Sequence, residues 1–138
     1  MEFLYADKGN QKHMDYLNRQ DNLVTSEMLL RKVEQRMVLL AFINNEIVGW
    51  LRFGFFWDNI PFMNLLVVEE AVRLQGVGRA LVSFWEQEMR KQGYMRVMTS
   101  TQADEQAQFF YRKLGYRECG CLLLPDEVLE ILFIRKLT

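Results

Sequence analysis

Leu65-Leu66-Val67-Val68-Glu69-Glu70-Ala71-Val72-Arg73-Leu74-Gln75-Gly76-Val77-Gly78-Arg79-Ala80-Leu81 runs from an apolar strand through a short polar turn into two glycines that open an amphipathic helix. Glycines lack a Cβ and let the backbone approach a ligand closely. The unpaired N–H groups of a helix's first turn, aided by its dipole, point at any negative charge placed there. The stretch therefore reads as an anion cradle, with a diphosphate as its natural guest. Spacing sorts the phosphate loops that compete for it. A Walker loop requires a lysine and then a hydroxyl after the second glycine, which this chain lacks. A dinucleotide fingerprint needs a third small residue three places after Gly78, where Leu81 stands, and an acid ending a second strand, where the pattern is helical.

What remains, Arg73-x-x-Gly76-x-Gly78, resembles the acyl-CoA loop of the GNAT superfamily of N-acetyltransferases, in which successive backbone amides hold the coenzyme A pyrophosphate. A second segment resembles the same family's other signature, Asn-x-x-Ala-x-x-aromatic/aliphatic-Tyr-x-x-x-Gly-Phe/Tyr. It is Thr101-Gln102-Ala103-Asp104-Glu105-Gln106-Ala107-Gln108-Phe109-Phe110-Tyr111-Arg112-Lys113-Leu114-Gly115-Tyr116, one strand and one helix downstream. Asp104 stands where the family usually has Asn. The resemblance implies an α/β fold spanning residues 1–138 as a single N-acetyltransferase domain. Its central mixed, mostly antiparallel sheet has about six to seven strands, flanked by about four helices, with two splayed parallel strands at the centre.

Composition agrees with one small domain. Half of the 138 residues are hydrophobic, enough for a single core, and two prolines without any repeat or low-complexity tract leave no boundary to draw. A formal charge of −1 and a pI near 5.9 give no basic footprint for nucleic acid. The first seven residues carry neither a basic segment nor an apolar core segment, and no run approaches the roughly 18 apolar residues of a membrane span. The expected location is the cytoplasm, without membrane contact. Cys119 and Cys121 flank Gly120 too closely for an easy disulfide and lack a second Cys/His pair for zinc, so reduced, partly buried thiols are expected. His13, the single histidine, rules against multi-histidine metal sites and is read as a surface residue of the first helix; no metal site is expected.

Hydrophobic period and turn residues order the elements. Residues 2–6 read as a strand, 11–19 and 26–35 as helices with Thr25 or Ser26 as N-cap, and 37–43, 47–57 and 62–68 as a meander of strands joined by Asn44-Asn45-Glu46 and by Asp58-Asn59-Ile60-Pro61. The helix after Gly78 carries Val77, Leu81, Phe84 and Trp85 on one side and Arg79, Ser83, Glu86, Gln87 and Arg90 on the other, and Gly93 stops it. A strand at 95–101, a helix from Ala103 to near Gly115 and two closing strands at 117–124 and 129–136 follow. The strand-helix-strand unit over 62–101 implies a right-handed crossover and parallel, adjacent strands.

By resemblance, backbone groups of Leu66, Val67 and Val68 pair with the pantetheine amides of acetyl-CoA, the cosubstrate. Those of Leu74, Gln75, Gly76, Val77, Gly78 and Arg79 hold its pyrophosphate. Arg73 and Arg79 either add charge-assisted phosphate contacts or remain solvated charges. The chemistry implied is direct attack of a primary amine on the thioester in a ternary complex. Tyr111 matches the family tyrosine near the sulfur, and a phenol can hydrogen-bond or protonate a departing thiolate; the competing reading is that Tyr111 only packs. Asp104 either contacts the cofactor as the family's Asn does or caps the helix. The usual glutamate positions hold Asn64 and Thr99, and Glu69 and Glu70 read as solvated charges, so the base is either Asp58, beside Trp57 at the expected acceptor mouth, or water. The acceptor is a small-molecule or peptide amine entering between the 26–35 helix and the Phe55-Phe56-Trp57-Asp58 turn, and a homodimer is compatible with the fold. The alternative is a catalytically weak acyl-CoA sensor or interaction module of the same fold.

Overall fold

Each helix in the computed structural model, which describes residues 1–138, begins or ends where local chemistry supplies the missing hydrogen bonds. After strand β1 (Glu2–Tyr5), helix α1 (Gln11–Gln20) starts at Asn10, whose side chain accepts from the His13 amide; α2 (Ser26–Glu34) starts at Thr25, which accepts from Met28 N. Strands β2 (Val38–Ile43), β3 (Glu46–Phe56) and β4 (Ile60–Val68) follow. The turns between them place Asn44 and Asn45, then Trp57 and Asp58, at positive φ, the two-residue geometry that matches strand twist. Helix α3 (Val77–Lys91) ends in a Schellman motif: Gly93 N donates to Arg90 O and Tyr94 N to Met89 O. Strand β5 (Arg96–Gln102), helix α4 (Ala107–Lys113), β6 (Arg117–Leu122) and β7 (Glu130–Lys136) complete the chain.

The seven-stranded sheet has the order β1-β2-β3-β4-β5-β7-β6, antiparallel except for β4 and β5, as the GNAT resemblance implies. Because β7 inserts between β5 and β6, β6 is an edge strand with all six residues exposed. Cys119 and Cys121 are therefore exposed free thiols rather than partly buried ones. The expected helix from Ala103 is also corrected. Ala103 N donates to Leu129 O, so its backbone is tied to the chain before β7 and α4 begins only at Ala107.

The chain forms two compact units. The first comprises Met1–Arg52 and Leu65–Val82. Its core is built from Leu17, Leu29, Val33, Val38, Leu40 and Trp50, with Leu65 and Val67 packed against it. His13 is buried rather than on the surface: its Nδ1 accepts from Asp7 N and its ring lies 5.8 Å from that of Phe42. Burial lowers its pKa, with Asp7 opposing. Asp21, just past α1, meets Arg52 of β3 in a buried ion pair, 2.8 Å from Nε to Oδ2, and its other oxygen accepts from Leu23 N.

The second unit comprises Phe53–Asn64 and Ser83–Thr138. Trp85, Phe53, Met89, Val97 and Phe133 are fully buried or nearly so. Glu86, assigned from the sequence to the solvent face of α3, is buried; the Tyr116 hydroxyl donates to it at 2.7 Å and Arg135 Nη1 at 2.8 Å. Two partners from β7 and the end of α4 offset the desolvation of this carboxylate. The parallel ladder of β4 and β5 consists of Phe62↔Met98 and Met63↔Thr99 and ends there, consistent with a splayed pair.

Candidate functional site

In the first unit, β4 delivers Leu66, Val67 and Val68 to a short 3₁₀ turn over Glu70–Val72, and the chain then bends into α3. Alternation along the strand sends the Leu65 and Val67 side chains into the core. Leu74 and Gly76 have φ of 69° and 81°, and Leu74 is fully exposed. A bulky residue in the left-handed region costs about 1–2 kcal/mol and is retained where the surroundings require it, often at ligand-binding loops. The first hydrogen bond into the helix runs from Ala80 N to Gly76 O. The amides of Val77, Gly78 and Arg79 thus have no acceptor in the helix, and its first turn contains no acidic residue to cap them. A phosphate group fits this row of donors.

The side chains around the loop are less available than the sequence suggests. Arg73 Nε donates to Val68 O at 3.2 Å, folding that arginine back on the strand, whereas Arg79 stays exposed. Glu69 is not a solvated charge: Tyr16 Oη donates to it at 2.5 Å and Gln20 Nε2 at 3.5 Å. That contact and burial raise the Tyr16 pKa, burial being the larger cause. Sequence reasoning passed over Gly49 of β3. A Cβ there would lie 3.0 Å from Val67 O and 3.4 Å from Val77 Cγ1, so the strand end and the start of α3 close around a position where only hydrogen fits comfortably.

In the second unit, Tyr111 is the buried residue of α4, its ring edge-on to Phe110 and Tyr116. Its hydroxyl donates to the Met63 sulfur, 4.0 Å away and a weak acceptor, and lies beside the Thr99 hydroxyl. Burial pushes its pKa up to about 12; the Thr99 hydroxyl works in the opposite direction and Glu105 adds to the rise. Thr99, at a usual position of the family glutamate, donates instead to Met63 O at 2.9 Å, and Asn64 is exposed. Two residues further along β5, the Thr101 hydroxyl is buried without any partner. Such a group costs roughly 1–3 kcal/mol unless something hydrogen-bonds to it. Nothing in the local string marks Thr101, because an orphaned hydroxyl is a property of the packed state.

Trp57 and Asp58 are not brought to Tyr111. They form the β3–β4 turn before β4 begins at Ile60, and about 10 Å of extended strand then separates Ile60 from Met63. Asp104 is exposed in the turn before α4 rather than in its first turn, and the residue in the N-cap position is Gln106, which makes no side-chain cap. The Gln108 amide closes this helix end instead, donating to Ala103 O and Glu105 O. No group of His, Cys, Asp and Glu side chains is arranged to hold a metal, and no helix is long and apolar enough to cross a membrane.

No curated protein matches the sequence. Among solved structures, the fold is similar to that of Ard1 from Thermoplasma volcanium, at 20% identity and a TM-score of 0.83 over 99% of this chain and 97% of that one. It is similar to an aminoglycoside 6'-N-acetyltransferase complexed with coenzyme A, at 20% identity and a TM-score of 0.80 over 100% and 98%. It is also similar to the ribosomal-protein-S18-alanine N-acetyltransferase from Escherichia coli, at 14% identity and a TM-score of 0.77 over 99% and 94%. At these identities the likeness establishes the fold. Residues 3–116, which include both the glycine turn and the segment around Tyr111, match the acetyltransferase (GNAT) family: the chain belongs to that family.

Proposed function

We propose that residues 1–138 act as a single acetyl-CoA-dependent N-acetyltransferase domain that acetylates a primary amine of a small molecule or peptide. The observation that carries this reading is the set of uncapped amides of Val77, Gly78 and Arg79 behind the exposed, strained Leu74–Gly76 bend. Those amides hold the pyrophosphate, with those of Leu74, Gln75 and Gly76 beside them. Exposed Arg79 adds charge, whereas Arg73 braces the loop through Val68 O. Backbone groups of Leu66, Val67 and Val68 take the pantetheine amides. Acetyl-CoA supplies an activated acyl carbonyl and a thiolate leaving group. Tyr111 donates its hydroxyl proton in a hydrogen bond to that thiolate, and Asp104 stays outside the chemistry. The coenzyme A complex of the aminoglycoside 6'-N-acetyltransferase, and the acceptors named for it and for the ribosomal-protein-S18-alanine N-acetyltransferase, support this reading without choosing the acceptor.

A second reading, an acyl-CoA sensor without turnover, is favoured by one observation: Thr99 and Asn64 stand where a base is usual, and Asp58 lies in the β3–β4 turn. The test has two arms. Acetyl-CoA raises the thermal midpoint of the parent protein but not of folded Gly78→Val, whose branched side chain blocks approach to the amides; equal stabilisation of both would refute the loop assignment. Release of CoA thiol with any member of a panel of amines, peptides and aminoglycosides establishes the enzyme, and binding without release establishes the sensor.

A further inference from the structure

Arg96 opens β5 and Lys136 ends β7, and the two are direct partners in the antiparallel ladder. Directly opposed side chains share a face with Cβ atoms about 5 Å apart, and like charges so placed repel. Three cations of this unit are matched with acids, Arg112 with Glu118, Arg135 with Glu86 and Lys91 with Glu88, whereas Arg90, Lys113 and Arg117 make no ion pair but are not opposed to another cation in a ladder. Neither Arg96 nor Lys136 makes an ion pair. They are not needed at the nearby end of α3 either, since its Arg90 and Met89 carbonyls are taken by Gly93 N and Tyr94 N.

Both cations line an open pocket of about 660 Å³ together with Asn59 of the β3–β4 turn. Its remaining wall is apolar: Ile134, the exposed Met95, and Tyr94, whose ring lies 5.5 Å from Phe55. Arg96 stands at the opposite end of β5 from Thr101, about 16 Å away along the strand, so this pocket is separate from the surroundings of Tyr111. Two unpaired cations on one face match a dianion, a guanidinium matches phosphate oxygens in paired fashion, and a concave site of this volume suits a small molecule.

We propose that this pocket binds a phosphomonoester carrying an aromatic or apolar body, with the phosphate between Arg96 and Lys136 and the body against Tyr94, Met95 and Ile134. The ligand relieves the repulsion that the ladder imposes on the free protein. Phenyl phosphate is the probe, titrated into the ¹⁵N-labelled full chain at about 150 mM salt so that diffuse attraction is screened. Saturable shifts are expected at the amides of residues 93–96 and of Lys136, with phenol producing none. Arg96→Gln and Lys136→Gln each weaken binding about fivefold or more, the loss of one charge-assisted contact. Each also raises the thermal midpoint of the ligand-free protein by removing one of two opposed like charges. Shifts that do not saturate, shifts confined to residues 74–79, unchanged affinity in both variants, or lowered midpoints would overturn the proposal.

Discussion

Replacing Tyr111 with phenylalanine removes one oxygen and leaves the ring in its cluster with Phe110, Tyr116 and Phe133. The phenol is held up to about 12, whereas a free thiol titrates near 8.5. Full proton transfer from Tyr111 to a departing thiolate is therefore uphill by about 3.5 units, roughly 5 kcal/mol at 1.36 kcal/mol per unit. Tyr111 can donate a hydrogen bond to the thiolate but does not surrender its proton, and its contribution stays constant from neutral pH to well above 9. One well-placed donor to a developing anion is worth about 10²–10³ in turnover. The folded state loses little, because the hydroxyl's geometric partner is a sulfur at 4.0 Å. The expected result for Tyr111→Phe is a 10²-fold or larger fall in kcat, with unchanged affinity for acetyl-CoA and a stability change below about 1 kcal/mol. Thiol release at saturating acetyl-CoA measures the first, calorimetric titration the second and urea unfolding the third. A kcat within threefold of the parent on a verified acceptor would reduce Tyr111 to a packing residue.

Features built by neighbours in sequence were legible before the structure. The glycine turn, the Asn10 and Thr25 caps and the asparagine hairpin arise within a few residues, and their chemistry shows in the local string. What could not be read are pairings between distant segments. Asp21 with Arg52, Tyr16 with Glu69, and Glu86 with Tyr116 and Arg135 join residues 30 to 53 positions apart. No helical or strand period announces such partners, so Glu86 and Glu69 read as solvated when each has a partner. Cys119 and Cys121 were misjudged for a topological reason: β6 is the last strand in sequence but one, yet β7 takes the inner place beside β5. The expectation for Asp58 rests on an adjacent aromatic run, a signal without direction, and the structure puts that residue in the β3–β4 turn ahead of β4.

The buried ion pair gives the largest stability effect. Asp21→Ala strands the Arg52 guanidinium and is expected to cost about 3–5 kcal/mol by urea unfolding, while Asp21→Leu combined with Arg52→Met recovers most of it; a loss below 1 kcal/mol in the single variant contradicts burial of the pair. Gly49→Val places branched carbons against Val67 O and Val77, and is expected to lower stability by about 1–3 kcal/mol and to weaken acetyl-CoA binding with it. Stability should also fall at both ends of the pH range. Folded-state pKa values raised for Tyr16, Tyr111 and Tyr116 give stability that is full below pH 10 and lost above it, with about 3 kcal/mol from the two-unit rise at Tyr111 alone, whereas the lowered His13 pKa gives stability that is full above about 6.5 and lost on acidification; a flat profile at either end refutes the corresponding burial. The last expectation concerns the amine's own proton. An alkyl ammonium with pKa about 10.4 is only a few parts in ten thousand neutral at pH 7; Glu86 is held by Tyr116 and Arg135, Asp58 lies in the β3–β4 turn with about 10 Å of strand between Ile60 and Met63, and Glu105, whose charge acts on Tyr111, is exposed to solvent. Water then removes the proton, turnover rises with pH through the neutral range, and profiles for two accepted amines are displaced by the difference in their pKa values. A shared inflection near pH 6–7 for both amines, absent from one variant among Asp58→Asn, Glu105→Gln and Glu69→Gln, would instead reveal an enzymic base and identify it.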